Sequence, residues 1–187
     1  MKITRTIPPS AVQNTFVRAM HSLASHPEYV HQEGLYQYLP PLERYLLTGS
    51  DARTSNLEAA KIVGWQYLIS DDSGLAVVDL SDDIPETYSS VRRGLFANRY
   101  QEILRLISGI ELENGETEKL HALEVPQYAT SALALRSTNR MRLFPISLRG
   151  TLQPAREMAP SSFFSELFES YPPPKRNTQQ KFDGPVI

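Results

Sequence analysis

Between Arg136 and Arg156 the chain carries five arginines, at 136, 140, 142, 149 and 156, with no acid among them. A guanidinium is a planar fork of donors that matches a phosphate or a carboxylate. A cluster of this kind could hold an anionic ligand or face an acidic protein surface. Met141 and Leu143 alternate with Arg140 and Arg142. Successive side chains of a strand point to opposite faces, so the alternation places the two apolar residues on the core and the two arginines in solvent. Charge in that position also protects a sheet edge from unwanted pairing. Only Phe144 lies nearby, so a stacking platform for nucleic acid is not expected.

The acids gather elsewhere. Asp71, Asp72, Asp79, Asp82, Asp83 and Glu86 occur with no basic residue among them. Their spacing lacks the alternating oxygen ligands and distal glutamate of a calcium loop. The two oppositely charged segments could instead face each other across a sheet or a dimer, which would fix register more than affinity. His21, His26 and His31 recur at intervals of five, whereas helical metal ligands favour three or four. No metal and no cofactor is expected. Four tyrosines, Tyr29, Tyr36, Tyr38 and Tyr45, fall in one proline-broken stretch. Tyrosine joins a large apolar body to a polar tip, which suits a partner surface.

The familiar catalytic patterns are missing. There is no G-x-S-x-G elbow and no glycine-rich phosphate loop. Without cysteine, disulfides, thiolate metal sites and cysteine nucleophiles are excluded. The 187 residues are 41% hydrophobic, enough for a core, and the net charge of −2 gives no global pull toward nucleic acid or an anionic membrane. "MKITRTIPPSAVQ" has no apolar run of the secretory kind, and no window is apolar for the length of a membrane span. A cytoplasmic location is therefore expected.

The elements that must position these residues follow from periodicity. Ser10–Ser25 reads as an amphipathic helix with Val12, Phe16, Val17, Met20 and Leu23 on one face. Leu42–Thr48 reads as a short helix after Pro40 and Pro41, and "NLEAAKI" as another behind the capping box at Ser55–Glu58. Val63–Ile69 and Leu75–Leu80 form a hairpin about an Asp-Ser-Gly turn. A long helix from about Ser90 to Ser108 should bury Leu95, Ile103 and Ile107 with Trp65 or Leu133, and Gly94 marks its start, a kink or a close packing point. Tyr128–Arg136 and Met141–Ile146 form a second hairpin, in which Pro145 indicates an edge or an end. A last helix follows at "PSSFFSELFESY", capped by Ser161 or Ser162, with Phe163, Phe164, Leu167 and Phe168 as buried candidates.

The expected fold class is α+β: an antiparallel sheet built from two β-hairpins, with helices packed mainly on one face. Residues 1–171 form the single domain and 172–187 an extended tail. The order of helices and hairpins resembles that of small dimeric secretion chaperones, a likeness of fold that carries no functional weight. The expected function is a non-catalytic protein-interaction module, an adaptor, small chaperone or regulatory subunit. Its partner is another protein, with an acidic surface or as a second copy in a homodimer. The contact candidates are Arg136, Arg140, Arg142, Arg149, Arg156, Tyr36, Tyr38 and Tyr45. The alternative is an enzyme or ligand-binding domain that holds an anionic substrate through the arginine hairpin.

Overall fold

A computed structural model of the chain describes residues 2–24, 36–81, 88–110 and 117–169. Ten strands join in one sheet. In chain order they are β1 (Lys2–Thr4), β2 (Gln37–Tyr38), β3 (Leu42–Leu46), β4 (Lys61–Asp71), β5 (Gly74–Ser81), β6 (Tyr88–Arg93), β7 (Thr117–Val125), β8 (Thr130–Arg136), β9 (Met141–Leu148) and β10 (Thr151–Leu152). The helices are α1 (Ser10–Ala24), α2 (Gly49–Arg53), α3 (Leu95–Ser108) and α4 (Pro160–Glu169). The sheet runs β10-β9-β8-β7-β3-β4-β5-β6, with β1 beside β7 and β2 beside β4.

The class is α+β, as expected, but the sheet is mixed. Both hairpins form, β4–β5 and β8–β9. Between them lie β7 and β3, which pair in parallel, as do β7 and β1. Leu42–Leu46 is thus a strand and not a helix. Leu42, Tyr45 and Leu46 sit at spacings that also suit a helix, yet two neighbouring strands satisfy the backbone here. "NLEAAKI" likewise gives only a 3-10 turn at Leu57–Ala59 before β4 begins at Lys61.

The helices cover both faces, not mainly one. On one face α3 buries Tyr100, Ile103, Leu104 and Ile107 against Leu68, Val77, Leu120, Leu133, Leu135 and Phe144. On the other, α1 lays Phe16, Met20 and Leu23 over Trp65, Tyr67 and Ile69. Beside it α4 seats Phe163, Phe164 and Leu167 on Leu123, Ala132, Ala134 and Leu143. Trp65 therefore lies across the sheet from α3 and cannot pack with Ile103. Val17 points away from the core on α1, 59% exposed, and Leu95 is 73% exposed in the first turn of α3.

Ser90 to Arg93, the expected start of the long helix, belong instead to β6, and Gly94 is the boundary. Its φ of 62° lies in the left-handed region, and the helix starts at the next residue. α4 begins with Pro160 in its first turn, where the missing N–H is harmless, and Phe163 N donates to Ala159 O. Its cap is thus Ala159 rather than Ser161 or Ser162. Pro145 neither ends β9 nor sits on an outer edge: β9 runs on to Leu148 and pairs with β10. Pro145 faces Ala132. Leu143 directs its N–H away from β8, to Met158 O, and the Pro145 nitrogen two residues on points the same way, where β10 does not pair with it, so no ladder bond is lost. Residues 111–116 and the tail from Pro172 lie outside the described residues.

The sheet is strongly curled. α3 touches β5 and β6 at one end and β9 and β10 at the other. Arg92 of β6 reaches Glu124 of β7 at 2.7 Å and Ser131 of β8 at 3.2 Å. Four strand spacings separate β6 from β7, about 19 Å in a flat sheet, so the concave face must wrap around α3. Gly64 makes one of the bends: φ is 147°, and a Cβ there would stand 1.9 Å from the Leu80 carbonyl oxygen.

Substituting Ile103 by Ala is expected to cost about 2–5 kcal/mol, and Leu95 by Ala less than about 0.5 kcal/mol. Equal urea midpoints for the two variants would remove α3 from the core. Gly64→Ala is expected to cost more than about 3 kcal/mol, because backbone rather than a movable side chain blocks the new methyl. A melting temperature within a degree of wild type would contradict the close approach at Leu80.

Candidate functional site

The five arginines do not converge. Arg136 pairs with Glu58, Arg156 with Glu166, and Arg140 with Glu157 at 3.5 Å. Arg142, expected in solvent, is 6% exposed. β9 is buried on both faces, so the residue between Met141 and Leu143 faces the α3 side and not water. There its guanidinium meets Glu118 of β7 and, at 3.3 Å, Glu157. Arg149 has φ 54°, and its N–H donates to Thr130 Oγ1 at 3.0 Å. The space beside it, about 410 Å³, is also bounded by Glu166 and Glu169, so an anion entering there would meet two carboxylates.

Asp71 and Asp79 of the first hairpin find cations, but not those arginines. Asp71 pairs with Arg93 of β6 at 2.7 Å and shapes its turn by accepting from Ser73 N at 2.8 Å. Asp79 sits on the concave face, where it accepts from Gln66 Nε2 at 2.7 Å, from Ser90 Oγ, and from Arg92 at 2.7 Å. Arg44 stands 3.7 Å from Asp79 and 3.6 Å from Glu124. Arg92 also lies over the Phe96 ring, 4.2 Å from its centroid. Nearby, burial holds the Tyr100 hydroxyl far above the ordinary tyrosine range, with Asp79 adding to the effect. Asp82, Asp83 and Glu86 lie outside the described residues.

On the opposite face Glu43 accepts from Lys119 at 2.6 Å and from the Tyr45 hydroxyl at 3.2 Å. Burial works to raise the Glu43 carboxyl, but bonds from Lys119, Thr6 and Tyr45 outweigh it and leave the group below its usual value. His121 packs on Tyr45 with ring centroids 4.7 Å apart. Burial first, then the nearby Arg136 and Lys119, push the imidazole down to about 4. It is neutral and enclosed, and Tyr45 serves this packed cluster rather than an open surface. Among the described residues no group of three or more His, Cys, Asp or Glu is placed to hold a metal. His26, His31 and Tyr29 lie outside those residues.

Tyr36 and Tyr38 have a different setting. β2 and β3 both run along β4, but Pro40 and Pro41 interrupt the pairing between them. Proline has no N–H to give the ladder. The gap lies opposite Tyr67, and it opens a groove of about 830 Å³ between β2, the start of α1 and the segment after β1. Its walls include Ile7, Pro8, Val17, Tyr38 and Pro41, with Tyr67 and Phe16 stacked 3.9 Å apart at its base. Arg5 enters from β1 and donates to the Pro40 carbonyl at 3.0 Å. At the rim Ile7 is 85% and Tyr38 56% exposed. Only the tyrosines of this groove stood out in the sequence. Arg5, Phe16 and Tyr67 come from three other parts of the chain, the segment after β1, α1 and β4, and the Pro40-Pro41 pair is the signal in the sequence that marks the groove.

Comparison with protein-family models, with curated proteins and with solved structures finds no match. No described helix is long and apolar enough to cross a membrane.

Arg142→Ala is expected to cost about 3–5 kcal/mol, because it leaves Glu118 buried without its counter-charge. Arg140→Ala should change stability by less than about 0.5 kcal/mol. Chemical denaturation of both variants checks the contrast, and equal losses would contradict it. His121 sets a pH dependence. Its folded value of about 4 lies below the 6.5 of an unperturbed histidine. Between those values the unfolded chain binds a proton that the folded chain refuses, so unfolding free energy falls as pH falls through that window. Above it this group contributes no slope. The total loss is on the order of 3 kcal/mol, and His121→Gln should remove it. Identical pH–stability curves for the two proteins would show that His121 does not titrate in this way.

Proposed function

We propose that the chain is a non-catalytic interaction module, of the adaptor, small chaperone or regulatory-subunit kind, that binds another protein through the groove between α1 and β2. The observation that carries this is the exposure of Ile7, Val17 and Tyr38 together at the rim of one apolar groove. Scattered apolar residues on a surface are ordinary, whereas a contiguous patch with a concave floor is the usual mark of a binding surface. The proposal keeps the cytoplasmic setting expected from the sequence.

Pairing of the guanidiniums supports this reading over an anionic-substrate site. Arg136, Arg140, Arg142 and Arg156 each face a carboxylate, and they spread over β8, β9 and the segment before α4. An anion would have to displace those acids one by one. Their role in the proposal is to hold β8, β9 and α4 in place, and the partner contact moves to Tyr36 and Tyr38.

The test is quantitative capture from the source cell with wild type, a Val17→Glu/Tyr38→Ala variant and an Arg140→Glu control. One or more proteins should be recovered in near-stoichiometric amount with wild type and the control, and lost with the groove variant. The same set with all three would overturn the groove as the contact. In parallel, thermal melts in phosphate and nucleotides should show no shift. A saturable rise in melting temperature that Arg140→Glu or Arg149→Glu abolishes would favour the ligand-binding alternative.

A further inference from the structure

Resting on that reading of the groove, we infer the chemical class of its partner: a proline-rich segment in the polyproline II conformation, presented by another protein. Ring spacing is the first observation. Tyr36 and Tyr38 stand with centroids 6.3 Å apart and planes 38° from parallel, and Phe16 lies edge-on to both, at 5.8 and 5.1 Å. Polyproline II rises about 3.1 Å per residue, so every second residue advances about 6.2 Å. Prolines two apart leave such a helix from two of its three edges, and those two edges can rest together on one aromatic surface, so one ring can meet Tyr36 and the other Tyr38. Tyr38 is open to solvent and free to receive such a ring.

The balance of donors and acceptors is the second observation. The groove lining contains no carboxylate, but it contains the Arg5 guanidinium and the amides of Gln13 and Asn14. At its base the Tyr67 hydroxyl is buried and has no hydrogen-bond partner. A buried donor without an acceptor is costly. Burial, with Tyr38 adding to it, pushes that hydroxyl up to about 12, so it stays protonated and able to donate. A proline-rich segment has the complementary deficit: its carbonyls are solvated and unpaired, and its prolines bring no N–H. An extended strand would instead bring N–H groups that need acceptors. A cationic ligand of the kind held in aromatic cages would meet Arg5, while acidic residues beside the prolines would be drawn to it. Aromatic grooves that dock polyproline helices use the same two features, ring faces and donors to carbonyls.

The chain itself carries Pro172, Pro173 and Pro174, outside the described residues. Lys175 and Arg176 follow them, and their charge has the same sign as Arg5, so a partner with acidic flanks is the better complement.

Isothermal titration of the full chain with three peptides tests the inference: ten prolines followed by two aspartates, the same peptide with alternate prolines replaced by alanine, and residues 170–187 of this chain. The proline peptide should bind saturably in the micromolar range, and the alanine-containing peptide at least tenfold more weakly. Tyr38→Ala should weaken the proline peptide about tenfold, the usual scale for one stacked ring. Tyr67→Phe should weaken it several-fold without lowering the melting temperature, since no existing bond is lost. Arg140→Glu should bind as wild type does. No saturation at millimolar peptide, equal binding of the alanine peptide, or indifference to Tyr38→Ala would overturn the proposal. Tighter binding of 170–187 than of the proline peptide would overturn the choice of a partner in trans and make the chain's own tail the occupant. If the proline peptide fails while cellular capture still depends on Val17 and Tyr38, the interaction reading stands and only its partner class falls.

Discussion

A charge taken out of water has to be answered where it lies, because the bare cost is several kilocalories and no later adjustment recovers it. The curled sheet is covered by α3 within and by α1 and α4 without, so the polar residues of its middle strands have little water to turn to. Asp79, Glu118 and Gln66 are nearly inaccessible. Each is met from another strand: Asp79 by Arg92 and Gln66, Glu118 by Arg142. Those pairs join β5 to β4 and β6, and β7 to β9, and they form only in one register. A slip of one residue in β5 would turn Asp79 to the α1 side, into contact with the face that holds Trp65 and Ile69. The compensation is incomplete, since Arg44 Nε, Arg92 Nε, Arg142 Nε and Gln66 Oε1 are buried without partners. The ion pairs thus offset a penalty that apolar residues would never have incurred.

The sequence is readable wherever one rule dominates. The hairpins follow from alternation and from turns such as Asp71 to Gly74, whose bond from Ser73 N to Asp71 is the one that residue types imply. Helices α1, α3 and α4 follow from their 3.6-residue periodicity. What resists reading is the middle of the sheet. β7 holds Glu118, His121 and Glu124 among its apolar residues, which looks like a solvated segment until Arg142, Tyr45 and Arg92 are brought beside it. Those partners lie far along the chain, and nothing local announces them. β3 fails for a different reason, because five residues are too few to separate a strand's period from a helix's. For Arg142 the alternation was read correctly, but the premise that one face of β9 is wet was not.

The candidate site shows the same division. Charge was the conspicuous signal in the sequence, yet most of that charge is consumed by the fold. Of the five arginines that looked available, Arg136, Arg140, Arg142 and Arg156 are tied to an acid, and Arg142 is structural because the strand that bears it has no free face. The groove arises from the opposite circumstance, a place where backbone pairing is forbidden. Pro40 and Pro41 cannot extend the ladder between β2 and β3, so the strand that would have filled the space opposite Tyr67 never does.

That break also explains why the groove is apolar. Along β4 the residues facing α1 are Trp65, Tyr67 and Ile69, placed there by the same alternation that sends Gln66 and Leu68 to α3. Where α1 and β3 cover them they are core. Where the two prolines interrupt the pairing, Tyr67 stays packed under Phe16, and the apolar surface that meets solvent is that of Ile7, Val17 and Tyr38 around it. The break in pairing thus leaves a hollow over a buried floor, held rigid by the strands around it. A binding surface made in this way needs no separate loop to position it, and its shape depends on the pairing of β4 with β5 on one side and with β3 on the other.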